Sequence, residues 1–452
     1  MILHPMTVTL RHETHVPIDL LSALVYVACA LGVALLTRRR AAFGVAALLL
    51  LAPFDLARYV GPTTITTLKA GVLGLLVGLA SSRVDVAAFR TFPVRVMLGA
   101  FAATFAAIAI SAVHAQNLGA VVREGFKDGE YFVLFAAAVA AFATDPDDRP
   151  FWRTLEAVVV LVCASALGEY AIGAHSGIFL RHQEIVWPRI AGALEGPNQL
   201  AGYFDVMIPV VVARALVHRD RLLVAVIALA AITDVLTISR AGIVGMLLGV
   251  GAVIVVLRPP QRVAWRYLAA VAVVAAIGIA AALRAGVPAG YFSLDQQTQA
   301  ADHLGNRSQL AHAAIVLWRT SPITGVGAGN YELDLPQAGL PGVRTHANNL
   351  YLQSLAEGGI IGLIATIGMF AATIGVLWRS GVRRPLVVGA LGATVALAAH
   401  QTLDDLFFFP KVATAFWLVC GVAVAEIAAR RIFERRRASA YVGAMPAATS
   451  AK

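Results

Sequence analysis

Charge is scarce in this sequence: Asp, Glu, Lys and Arg make up only 14% of its 452 residues, against roughly a quarter in ordinary soluble domains. With 59% apolar residues, such a chain cannot cover a water-facing surface. Lipid must therefore serve as part of its solvent. Cysteine is equally sparse. Cys29, Cys163 and Cys420 lie far apart inside apolar runs, which excludes a disulfide framework and any metal-ligand spacing. The net charge of +10 is not accompanied by RNA-binding aromatics or zinc-finger spacing, so no nucleic-acid partner is expected. Residues 1–17 hold no charged n-region followed by a cleavage site, so no removable signal peptide is expected either.

What the chain does have is apolar runs of membrane-crossing length. They predict helical spans near 18–36, 41–57, 63–80, 94–114, 128–143, 152–173, 198–216, 221–238, 240–257, 262–283, 347–378, 384–401 and 411–429. The fold class is thus an all-α polytopic membrane protein of about 12–13 transmembrane helices. Arginines fall in alternate loops, from Arg38–Arg40 through Arg219 and Arg258 to Arg435–Arg437, and 22 of the 36 basic residues share one side. The positive-inside bias makes that side cytoplasmic, together with the C-terminus. The opposite side receives a loop near 174–197 and a long one at 285–346. The chain divides into N-terminal helices (1–184), a core with the long loop (185–365), C-terminal helices (366–437) and a tail (438–452) expected to be disordered. Pairs such as Gly74 and Gly78 read as close helix packing.

Four stretches on the outer side carry polar residues that apolar packing does not require. In Arg189-Ile-Ala-Gly192 followed by Pro197-Asn198, Asn198 suits a helix N-cap, while Arg189 runs against the loop-charge bias. In Thr237-Ile-Ser-Arg-Ala-Gly242 two spans leave almost no loop, so Arg240 sits at the membrane boundary. It either snorkels to headgroups or faces a cavity and holds an anion, with Asp234 as a partner. Gly305-Asn-Arg307 leads by a helix-like run to Ser321-Pro-Ile-Thr-Gly-Val-Gly-Ala-Gly-Asn330, which lacks the Lys-Ser/Thr ending of a P-loop and reads as a turn. Thr345-His-Ala-Asn-Asn349 opens a span, placing His346 at the water boundary with Asn348 and Asn349 beside it. Glu357 and the glycines after it read as a kink. A histidine gathered with three arginines on one face suits a general base.

The order of these stretches resembles the bacterial O-antigen ligase and polymerase family of lipid-linked glycan transferases, whose members share Arg-x-x-Gly before Pro-Asn, a Ser-Arg-Ala-Gly junction, an arginine with Pro-x-Thr-Gly-x-Gly in a long periplasmic loop, and a His-Asn helix start ending in Gly-x-x-Gly. In one respect the sequence departs: counting back from Gly359 and Gly362, the family's histidine position holds Asn348, and His346 lies two residues earlier. The resemblance implies a GT-C-like arrangement in the bacterial inner membrane, with the active site facing the periplasm. It implies an undecaprenyl-diphosphate-linked glycan donor, with lipid A-core or another glycan as acceptor, and no cofactor or metal. Arg189, Arg240 and Arg307 would bind the diphosphate and His346 would act as the base, supported by Asn198, Asn348, Asn349, Asp404 and Asp405. Ligase and polymerase remain alternatives at this stage. So does a transporter or flippase of a lipid-linked or anionic solute, with Asp205 and Asp234 as coupling groups.

Overall fold

The computed structural model describes residues 18–60, 63–82, 84–172, 177–181, 184–260 and 307–443, with five isolated positions between 263 and 280. Its helices are α1 Leu20–Arg39, α2 Ala41–Leu51, α3 Thr67–Ala80, α4 Phe92–Ser111, α5 Leu118–Thr144, α6 Arg149–Ala171, α7 Pro197–His218, α8 Arg221–Leu236 and α9 Arg240–Leu257. They continue as α10 Arg307–Thr320, the short α11 Tyr331–Asp334, α12 Leu350–Arg379, α13 Pro385–His400 and α14 Pro410–Gly443. Among the described residues, seven helices are long and apolar enough to cross a membrane, and four shorter apolar helices accompany them. The chain is an all-α polytopic membrane protein. The span expected near 262–283 lies almost wholly outside the described residues.

Polar residues set the helix starts. Asp19, Thr66, Asn117, Asp220, Ser239 and Asn349 each accept a hydrogen bond from a first-turn amide. The most buried helices are α7 and α14. Around α7 the bundle closes through small residues. A Cβ on Gly249 of α9 would stand 2.7 Å from the Gly392 carbonyl oxygen of α13, and the reverse holds at the same distance. Gly74 and Gly78 likewise press on the α1 backbone, the packing role their spacing predicts.

The structure departs from these expectations in four places. Residues 57 and 63–66, expected at the ends of two spans, instead form with residues 58–60 an antiparallel hairpin of β1 Ala57–Val60 and β2 Thr63–Thr66. Pro53 helps end α2, and the β-branched run Thr63-Thr-Ile-Thr66 favours extended backbone. A second hairpin, β3 Gly177–Arg181 with β4 Glu184–Arg189, occupies the outer loop before α7. Helix α5 begins ten residues before the expected 128, because Asn117 caps it and its charged first half is helical. Helix α14 also runs to Gly443, past the start of the tail expected to be disordered from Ala438.

The two ends of the bundle differ in chemistry. At the arginine-rich end Arg40 holds Asp145 in a two-pronged grip at 2.8 and 2.9 Å and reaches Asp147 at 2.9 Å, while Arg384 meets Glu426 at 2.7 Å. The opposite end carries both hairpins, segment 321–349 and loop 401–409. There the glycine-rich stretch docks on a break in α12: Ile360 N–H donates to the Pro322 carbonyl at 3.0 Å, and Gly327 N–H donates to the Glu357 carbonyl at 2.9 Å. The break lies at Gly359 (φ 60°, ψ −156°), a conformation open essentially to glycine alone. A Cβ there would stand 2.4 Å from the Ile323 carbonyl carbon. Gly359→Ala is therefore expected to lower stability by about 1–3 kcal/mol, read as a fall in melting temperature in detergent. Gly368→Ala, in open helix with nothing within 4 Å, should show no such fall.

Candidate active site

Arg189 closes β4 and is 7% exposed. Its Nε donates to the Thr237 carbonyl at 2.6 Å and its Nη2 to Asn198 Oδ1 at 2.7 Å. Thr237 is the C-cap of α8, so the guanidinium sits at the negative end of that helix. The turn after Arg189 is held from α6: Glu169 accepts the Ala191 and Gly192 amides at 3.0 and 2.6 Å. Gly192 takes φ 59° against the α6 backbone, which explains the Arg-x-x-Gly spacing.

The chain of contacts continues from Asn198, at the start of α7, whose Nδ2 donates to Asp404 Oδ2 at 2.7 Å. Asp404 is 2% exposed; its Oδ1 accepts the Asp405 amide at 2.8 Å and faces His346 Nε2 at 4.0 Å. His346 is 5% exposed and packs between the Phe408 and Phe409 rings at 5.1 and 5.7 Å. Its Nδ1 accepts the Asn348 amide at 3.2 Å, which leaves Nε2 to carry the proton toward Asp404 in the neutral ring. Residues 345–348 are not helical, and Asn348 takes φ 50°, a value asparagine tolerates. This turn lets His346 face the site although it lies two residues before the family position. Asn349 caps α12 and ties it to loop 401–409 by donating to the Thr402 carbonyl at 2.7 Å.

Arg240 occupies the first position of α9, immediately after Ser239, whose side chain accepts the Gly242 amide at 3.3 Å. Next to it, Ile238 takes φ 55°, a strained value for a β-branched residue. Arg189, through Thr237, thus joins the same α8–α9 junction from which Arg240 starts. Arg307 is not brought to this chain of contacts: it stands exposed at the start of α10, and Gly305 and Asn306 lie outside the described residues.

Beyond His346 opens a cavity of about 550 Å³ between α4, α5 and α12, whose wall His346 and Asp405 share. The sequence reading missed its charged rim on α5: Arg123, Glu124, Lys127 and Asp128 all line it. Their i, i+4 spacing placed Arg123 with Lys127 and Glu124 with Asp128 on one helical face, the signal that was available. Lys127 pairs with Glu124 and lies 5.8 Å above the Phe408 ring. Deep in the bundle, Asp205 and Asp234 are wholly buried, and Asp205 bonds His400 at 2.6 Å.

Burial pushes the Asp405 carboxyl above the usual carboxylate range, opposed by His346 and Lys127. Ionising it thus costs the folded state stability as pH rises through that range. Asp405→Asn, which can still cap the Phe408 amide, is expected to raise the melting temperature at neutral pH. The gain should shrink on acidification and vanish below the ordinary carboxylate pKa, as melting curves of both proteins across pH would show.

Residues 224–367 match the family model described as O-antigen ligase. The match includes Arg240, Arg307 and His346, and stops short of Arg189, Asn198 and Asp404 on either side. No curated protein matches the chain.

Proposed function

We propose that this chain, a member of the O-antigen ligase family through residues 224–367, transfers a glycan from undecaprenyl diphosphate to an acceptor hydroxyl at the periplasmic face of the bacterial inner membrane. The observation that carries this reading is the buried polar chain from Arg189 through Asn198 and Asp404 to His346, at the end opposite the arginine-rich loops. By the positive-inside bias that end faces the periplasm and the C-terminus the cytoplasm.

In the proposed step the acceptor oxygen attacks the anomeric carbon and the bond from that carbon to the diphosphate breaks, with inversion. The hydroxyl proton passes to His346 Nδ1, whose present contact with the Asn348 amide is long at 3.2 Å. Asp404, whose Oδ1 faces the opposite ring nitrogen at 4.0 Å, stabilises the resulting imidazolium. The diphosphate leaves with its charge against Arg240 and Arg189 at the α9 N-terminus, where guanidinium and helix dipole both favour an anion. Arginines can meet that charge without a divalent ion, so transfer is expected to survive chelator. Arg307, exposed at the start of α10, has no part in the step proposed here.

Lipid A-core is the acceptor we favour over a second lipid-linked repeat. A transporter reading draws on the buried Asp205 and Asp234, but it assigns no role to His346 and Asp404. Purified protein with lipid-linked glycan and lipid A-core should form the conjugate in chelator. Arg240→Ala and His346→Ala should each lower kcat about 100-fold or more while remaining folded. Elongation of the donor glycan without lipid A-core modification would make it a polymerase. Failure to transfer to either acceptor would favour the transporter.

A further inference from the structure

The cavity beyond His346 has two zones. Along α12 it is lined from Leu350, at the outer end, to Phe370. From the break at Gly359 to Phe370 the helix rises roughly 16 Å, about half the thickness of a hydrocarbon core. The deep zone is apolar, walled by Phe101, Met369, Phe370 and Trp417. The outer zone is polar. Its cations are Arg123, Lys127 and Arg344, and its carboxylates are Glu124, Asp128, Glu332, Glu357 and Asp405. One cation is already matched, since Lys127 pairs with Glu124.

The three cations there are matched by carboxylates, Lys127 by Glu124 directly, so a diphosphate head would find no net positive field. Sugar hydroxyls would meet hydrogen-bond acceptors there. The base must also touch the hydroxyl it deprotonates, and His346 stands on this wall. The arginine junction lies on the other side of the Asp404–His346 pair. We infer that this cavity is the acceptor subsite: it takes a lipid-anchored saccharide, with the acyl or prenyl anchor in the deep zone and the sugar at the carboxylate rim. The assignment rests on the transfer reading above for the role of the occupant.

Two readouts test it, one free of catalysis. In nanodiscs, Thr104→Cys, which lines the cavity, is labelled with a maleimide in a Cys29→Ala background. Dodecyl maltoside and dodecyl phosphate share a tail and differ in head. The maltoside should protect the thiol at concentrations at least tenfold lower than the phosphate. Equal protection, or stronger protection by the phosphate, would overturn the assignment whether or not transfer is ever observed. In the transfer assay, Asp128→Asn and Ala365→Phe should raise the KM for the lipid-anchored acceptor at least tenfold and leave the donor KM unchanged, with each variant folded. A rise in the donor KM instead, or no change in either, contradicts it. Absence of transfer by the wild type, with the maltoside preference intact, would sink the transfer reading and leave the saccharide site standing.

Discussion

One buried chain of polar contacts determines how the outer end of this bundle is built. Arg189 cannot be left alone at 7% exposure, because an uncompensated buried cation is costly. It is satisfied by the last carbonyl of α8 and by Asn198, and Asn198 hands the connection on to Asp404. Elements distant in sequence (the β3–β4 hairpin, the α8–α9 junction, the start of α7 and loop 401–409) are thereby held at fixed separations. Low dielectric strengthens each link and makes each missing partner expensive. The same contacts that order the site also limit how far its members can drift.

Around that chain the backbone does the positioning. Loop 401–409 is pinned twice to the start of α12: the Gln401 and Asp404 carbonyls both accept the Leu350 amide, at 3.0 and 3.1 Å. The α4–α5 turn is stapled to the glycine-rich segment by Asn330, whose Oδ1 accepts the Asn117 amide at 2.9 Å and whose Nδ2 donates to the Asn117 carbonyl at 3.2 Å. His346 therefore sits where two rigid connections meet, with Asp404 on one side and the cavity on the other. In the proposed transfer this places the base between the diphosphate and the acceptor, as a displacement with two substrates needs.

Much of this was legible in the chain. Apolar runs located the spans because lipid leaves the backbone no alternative to helix. Pro197 and Asn198 marked the start of α7, and Gly359 marked the break in α12. His346, Asp404 and Asp405 were named, but their convergence was not readable, since it depends on how α13 and α12 pack across more than fifty residues of separation. The α5 rim was missed for a physical reason: Arg123 to Glu130 look like a solvated loop to a hydropathy reading, and become lining only when α4 and α12 leave a cavity beside them. Arg307, expected at the site from its place in a motif, is exposed at the start of α10 and is not joined to this chain of contacts.

The central claim, that Asn198 and Asp404 act as one unit in orienting His346, is tested most directly by a double-mutant cycle on kcat/KM with Asn198→Ala and Asp404→Asn. If the two residues belong to one chain of contacts, the double variant should be no slower than the slower single variant, because the second change removes a link already broken. Effects that multiply would contradict the account, showing that Asn198 and Asp404 act on the reaction separately.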